Sequence, residues 1–144
     1  MAVVERSALV LHSAREMFDL VNDVISYPSF LPWCDGVEVH SQSDQEVVAT
    51  LYINKAGVKQ KFTTRNQLID GHRIEMNLVD GPFTSLSGAW GFKALNETAC
   101  KVCLDLHFEM SGSLRNMAVG KVFQQVANAM VDAFVKQAGV VYAK

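Results

Sequence analysis

Between residues 37 and 110 the apolar residues recur at every second position, and this alternation restricts the possible folds more than any other feature of the chain. In VVATLYIN, Val47, Ala49, Leu51 and Ile53 share one face. In KVCLDLHFEM, Val102, Leu104, Leu106, Phe108 and Met110 oppose Lys101, Asp105, His107 and Glu109. Both read as half-buried strands. The turn-forming sequences NKAG (54–57), DGH (70–72), DGP (80–82) and NET (96–98) separate consecutive runs by so few residues that the strands must fold back as antiparallel hairpins. The spacing predicts six strands here and one more before residue 13.

Helical spacing brackets this region. SARE (Ser13–Glu16) has the form of a capping box, and Met17, Leu20, Val21 and Val24 follow on one helical face, so a short amphipathic helix is expected to end near Ile25. Pro28 pushes Tyr27 out of the α region and Pro32 breaks any continuation, which makes SYPSFLPWC (26–34) a constrained corner. From SGS (111–113) the chain runs without proline to about Tyr142, with a stripe of Val119, Phe123, Val126, Met130, Phe134 and Val141. Roughly 30 helical residues reach about 45 Å, so this helix must cross the whole sheet. The pattern predicts a single α+β domain, 1–144, in which a curved antiparallel sheet wraps a long C-terminal helix.

Composition narrows the function. With 49% hydrophobic and 19% charged residues the chain has apolar surface to spare, and a net charge of -2 argues against coating nucleic acid electrostatically, so DNA is not an expected partner. Three cysteines, an odd number, fit a reducing compartment with Cys34, Cys100 and Cys103 as thiols, leaving the Asn96 sequon unused. Glu5 and Arg6 interrupt the apolar start, so no secretory signal is expected, and no run approaches a membrane span; the expected location is cytoplasmic, with peripheral contact at the inner membrane open.

No catalytic residue and no metal site is expected. Cys100 and Cys103 point to opposite faces of an alternating strand, no second pair completes a metal set, Cys34 has no histidine near it in sequence, and His12, His40, His72 and His107 fall at strand ends or outward positions. Phosphate loops, nucleophile elbows and HExxH are missing from the sequence. The long helix is short of bulk at Gly120 and Ala127, and in VKQKFTTRNQL the apolar Val58, Phe62 and Leu68 share parity with Gln60, Thr64 and Asn66. Two readings stand: the rings fill the core and the polar groups sit at a wet edge, or Trp90 and Phe92 line a pocket over which Tyr27, Phe30 and Leu31 form a lid. Lys59, Lys61 and Arg65 share the outward parity of the same strand, with Lys55 nearby; the stripe is either an ordinary solvated face or a contact for RNA or anionic-lipid phosphates.

Four stretches, LVNDVISYPSFLPWC (20–34), KAGVKQKFTTRNQL (55–68), LVDGPFTSLSGAWGF (78–92) and VFQQVANAMVDAF (122–134), resemble the family of coenzyme Q-binding proteins and ribosome-association toxins, within the START-like, polyketide cyclase-like superfamily. The resemblance covers essentially the full length. It implies a helix-grip (START/Bet v1-like) fold with a tunnel for a lipophilic molecule, which in part of the family is ubiquinone or another polyprenyl quinone supporting respiration without turnover. For the toxins it implies binding of the large ribosomal subunit and a block to subunit joining; cyclases occur in the wider superfamily. A polyprenyl quinone needs a long apolar groove with a donor at its head. Leu51, Phe62, Met76, Leu78 and Phe83 with Trp90, Met130 and Phe134 would form the groove, and Gln60, Thr64 or Asn66 the head. Lipophile binding is therefore the first expectation, with no other cofactor, ribosome binding the second and a cyclase-like activity the third.

Overall fold

In the computed structural model, which describes residues 2–112 and 114–143, every predicted strand is present. The order is β1 (Ala2–Val10), α1 (Ala14–Asn22), a 3-10 turn (Val24–Ser26), α2 (Tyr27–Phe30), β2 (Cys34–Gln42), β3 (Glu46–Lys55), β4 (Val58–Ile69), β5 (Arg73–Asp80), β6 (Phe83–Asn96), β7 (Ala99–Met110) and α3 (Leu114–Val141). The strands form one antiparallel sheet in the order β1-β7-β6-β5-β4-β3-β2. Its neighbours are hairpin partners except at one seam, where β1 pairs along β7 with Ala2 opposite Phe108.

The period-two pattern becomes geometry directly. Val47, Ala49 and Ile53 are buried on the concave face, and so are Val102, Leu104, Leu106 and Phe108, while Lys101, Asp105 and Glu109 face solvent. Ala56 (φ 53) and Gly57 (φ 80) both adopt left-handed backbone in the two-residue β3–β4 turn, as a tight hairpin requires. Register shifts in β2, between Thr63 and Thr64 of β4, and at both ends of β6 add the local twist that curls the sheet. At Gly88 the curl brings β7 so close that an added Cβ would stand 2.2 Å from the Asp105 carbonyl oxygen.

Ser13 and Glu16 make the reciprocal capping box, each bond 3.0 Å, and α1 buries Met17, Phe18, Leu20 and Val21. The corner departs from expectation. Tyr27 is in the right-handed helical region (φ -53, ψ -45) despite preceding Pro28, and Tyr27–Phe30 forms a helical turn. Pro28 is tolerated there because a first-turn N–H has no helical partner to lose. Tyr27 is held by its side chain, whose hydroxyl donates to the Val21 carbonyl. Leu31, before Pro32, is extended as expected (φ -97, ψ 109).

The 28 residues of α3 span about 42 Å and lie in the sheet's concavity. Phe123, Val126 and Phe134 of the expected stripe are buried, Val119 and Met130 are half-buried, and Val141 is exposed. The helix outruns the sheet at its last turn, where Tyr142 takes over by donating its hydroxyl to the Glu16 carbonyl at 2.9 Å. Ser113, in the sequence stretch expected to open this helix, lies outside the described residues.

Candidate functional site

Two aromatic clusters clamp α3 and leave a hollow between them. At one end the Phe123 ring meets Phe108 at 4.7 Å and Phe83 at 4.8 Å between centroids. At the other, Phe134 is edge-on to Trp90 and Tyr27, both at 5.3 Å, and to Phe30 at 5.4 Å. About three turns, or 16 Å of helix, separate the two phenylalanines. Along that span α3 presents Val126, Ala127 and Met130 to a cavity of about 60 Å³.

The small residues of α3 therefore have different causes. A Cβ on Gly120 would stand 2.9 Å from Met110 Cγ, so that glycine serves a close approach. Ala127, 1% exposed, borders the hollow. Val21 and Val24 close the cavity from the α1 side, Tyr27 and Trp33 from the corner, and β3 to β7 form the rest of the wall.

One polar pair interrupts this wall. Thr64, 7% exposed, donates through Oγ1 to Asn66 Oδ1 at 3.0 Å, and among the described residues Asn66 Nδ2 has no hydrogen-bond partner. The wall is thus mostly apolar, with this pair, the Tyr27 hydroxyl and the Trp33 and Trp90 indoles as its polar groups. Burial, then Cys34 and Asp23, pushes the Tyr27 hydroxyl far above the ordinary phenol range, and burial likewise raises the nearby Cys34 thiol.

Of the residues expected to line a pocket, Tyr27, Leu51, Phe62 and Thr64 do so, as do Asn66, Met76, Trp90 and Met130. Phe30 and Phe134 instead form the aromatic plug around Tyr27, and Leu31 is buried off the wall. Gln60 is exposed; with Phe83 it borders a separate gap of about 10 Å³, and Leu78 is half-buried away from the hollow. Trp33, Val21 and Val24 were missed. They read as corner and helix core, and only the corner's return over the sheet brings them to the cavity. Leu104 and Leu106 carried a usable signal, since alternation already placed them on the concave face beside Trp90.

Lys59, Lys61 and Arg65 lie exposed on the convex face, as their parity predicts. Arg65 is partly engaged, Nε lying 3.5 Å from Glu46 Oε1. Lys55 ends β3 on the opposite parity and does not join the row.

A family description covering polyketide cyclases, dehydrases and lipid transport matches residues 10–135. The ribosome association toxin RatA of Pseudomonas aeruginosa is 51% identical over 139 residues, 96% of each chain. The mitochondrial coenzyme Q-binding protein COQ10 homolog B of Xenopus laevis is 29% identical over 136 residues, covering 92% of this chain and 56% of that protein. Among solved structures, the Zhui aromatase/cyclase of Streptomyces sp. R1128 superposes with a TM-score of 0.83 at 19% identity, over 95% of this chain and 93% of that one. At that identity the likeness is one of helix-grip fold.

Proposed function

Since the chain belongs to the polyketide cyclase, dehydrase and lipid transport family, on the branch of the ribosome association toxins RatA, we propose that it acts by associating with the ribosome. It binds the large subunit in the cytoplasm and blocks joining of the small one, which inhibits translation. The observation that carries this is end-to-end similarity: relatives sharing half of all residues over 96% or more of the chain bear that name. The order of the sequence expectations is thereby reversed, because the quinone-binding name comes with 29% identity over little more than half of a longer protein.

The cavity supports the same order. Small-molecule sites occupy about 300–1,000 Å³, several times the 60 Å³ open here, so a quinone ring enters only if α2 or α3 moves. The test is sucrose-gradient sedimentation of ribosomes with excess protein. Paired ribosomes are expected to fall and the protein to migrate with free large subunits; an unchanged profile with the protein left at the top rejects the reading.

A second reading, carriage of a lipophile, is favoured by a mostly apolar hollow whose wall carries Asn66, a residue type suited to partner one carbonyl oxygen. Organic extraction of the purified protein followed by mass spectrometry checks it, and an empty extract with no uptake from quinone-loaded vesicles rejects it. For cyclase-like turnover no specific observation speaks: among the described residues the cavity wall carries no carboxylate, histidine or cysteine.

A further inference from the structure

The convex face holds a groove of about 400 Å³ between β2, β3, β4 and the end of β5. Its floor is a hydrogen-bonded chain. His40 Nε2 lies 2.7 Å from Thr50 Oγ1, which lies 2.5 Å from Thr63 Oγ1, and Thr50 is only 5% exposed. When the His40 nitrogen donates, Thr50 donates its own O–H to Thr63 Oγ1, and the Thr63 hydroxyl is left with a hydrogen to offer a ligand.

The rim combines three chemistries. The Tyr52 ring lies beside its paired neighbour Gly36, where an added Cβ would be 3.8 Å from Cδ2, and its hydroxyl donates to Glu38 Oε1 at 3.5 Å, so a flat ring is held at the rim. Glu38 and Asp80 supply carboxylate acceptors. Lys61 stands opposite Tyr52 on β4, with Lys59 about 6.8 Å further along the strand, and neither is in an ion pair among the described residues. A ring for stacking, acceptors for an amino group and free cations for the flanking backbone are what an unpaired nucleotide uses. A bare phosphate or an anionic membrane has no use for the carboxylates and is repelled by them.

We propose that this groove seats an unpaired RNA base carrying an exocyclic amino group. The base stacks on Tyr52, its amino hydrogens go to Glu38 and Asp80, and Lys59 and Lys61 hold the adjoining phosphates. This rests on ribosome association as the function and names the contact surface for it.

Fluorescence anisotropy of the full chain with labelled ten-nucleotide oligo(rC), oligo(rA) and oligo(rU) tests the groove directly. Oligo(rC) or oligo(rA) is expected to bind several-fold tighter than oligo(rU), and Asp80→Asn to shrink that preference. Tyr52→Ala should weaken binding about tenfold, and Lys61→Ala should lower the slope of log affinity against log salt by about one. Equal binding of all three oligonucleotides, or variants indistinguishable from the parent, overturns the assignment. So does binding confined to phosphatidylglycerol vesicles, which would mark the stripe as a membrane contact. Ribosome sedimentation separates the two claims. If the parent and Tyr52→Ala co-migrate equally with large subunits, the groove fails and the association stands. If the parent binds oligo(rC) but never co-migrates, the association fails and the groove stands.

Discussion

Tyr27 does its work through one oxygen. The Val21 carbonyl lies in the last turn of α1, where helical carbonyls lose their partners, and the buried Tyr27 hydroxyl supplies the missing donor. Tyr27→Phe keeps the ring contacts and strips that donor, so it is expected to cost about 1–2 kcal/mol, read as a lower urea midpoint at unchanged slope. Three buried acids set the alkaline limit in a related way. Burial raises Cys34 and Cys100 above their ordinary 9.0 and Tyr27 above its ordinary 10.0. Above its ordinary value such a group has lost its proton in the unfolded chain and kept it in the folded one, so stability is flat below about pH 9 and falls as pH rises past it. The double variant Cys34→Ala/Cys100→Ala is expected to move the onset of that fall toward about pH 10, at some cost in stability at neutral pH. Urea midpoints across about pH 8–11 check this, and an unmoved onset excludes the thiols as its source.

Elements were legible wherever one period governed a long run. The seven strands, four of the turns and the capping box of α1 follow from alternation and turn residues, because each is set within a few neighbouring positions. The corner was misread because the restriction on the residue before proline is a local preference, and at Tyr27 a tertiary hydrogen bond and two ring contacts outweigh it. Val141 fell off the stripe for another reason: helical spacing gives a face but not the point where the sheet beneath it ends. The candidate site divides in the same way. Parity put Thr64 and Asn66 inside and Lys59 and Lys61 outside, whereas Gln60, on the inward parity, emerges where β4 leaves the concave shelter. The His40–Thr50–Thr63 chain joins three strands, and pairing register is needed to see it.

For the whole molecule the two aromatic clamps and the gap between them set a trade between stability and capacity. Filling the gap separates the two functional readings. Ala127→Leu inserts a good helix former into the hollow and is expected to raise stability by about 1–2 kcal/mol, measured by chemical denaturation, with lipophile uptake abolished. If association with large subunits is the function, that variant migrates with them as the parent does; its loss there would tie the ribosome contact to the cavity.

The seam between β1 and β7 has a consequence for synthesis. Five of the six strand pairings join neighbours along the chain and zip up as each hairpin is completed, whereas Ala2 waits for Phe108. At translation rates of about 5–20 residues per second the opening segment leaves the exit tunnel with no partner for about 5–20 s. During that interval its ladder edge is open to mispairing with other nascent chains, so yield in the cell will depend on holdase supply and on codon tempo upstream of residue 99.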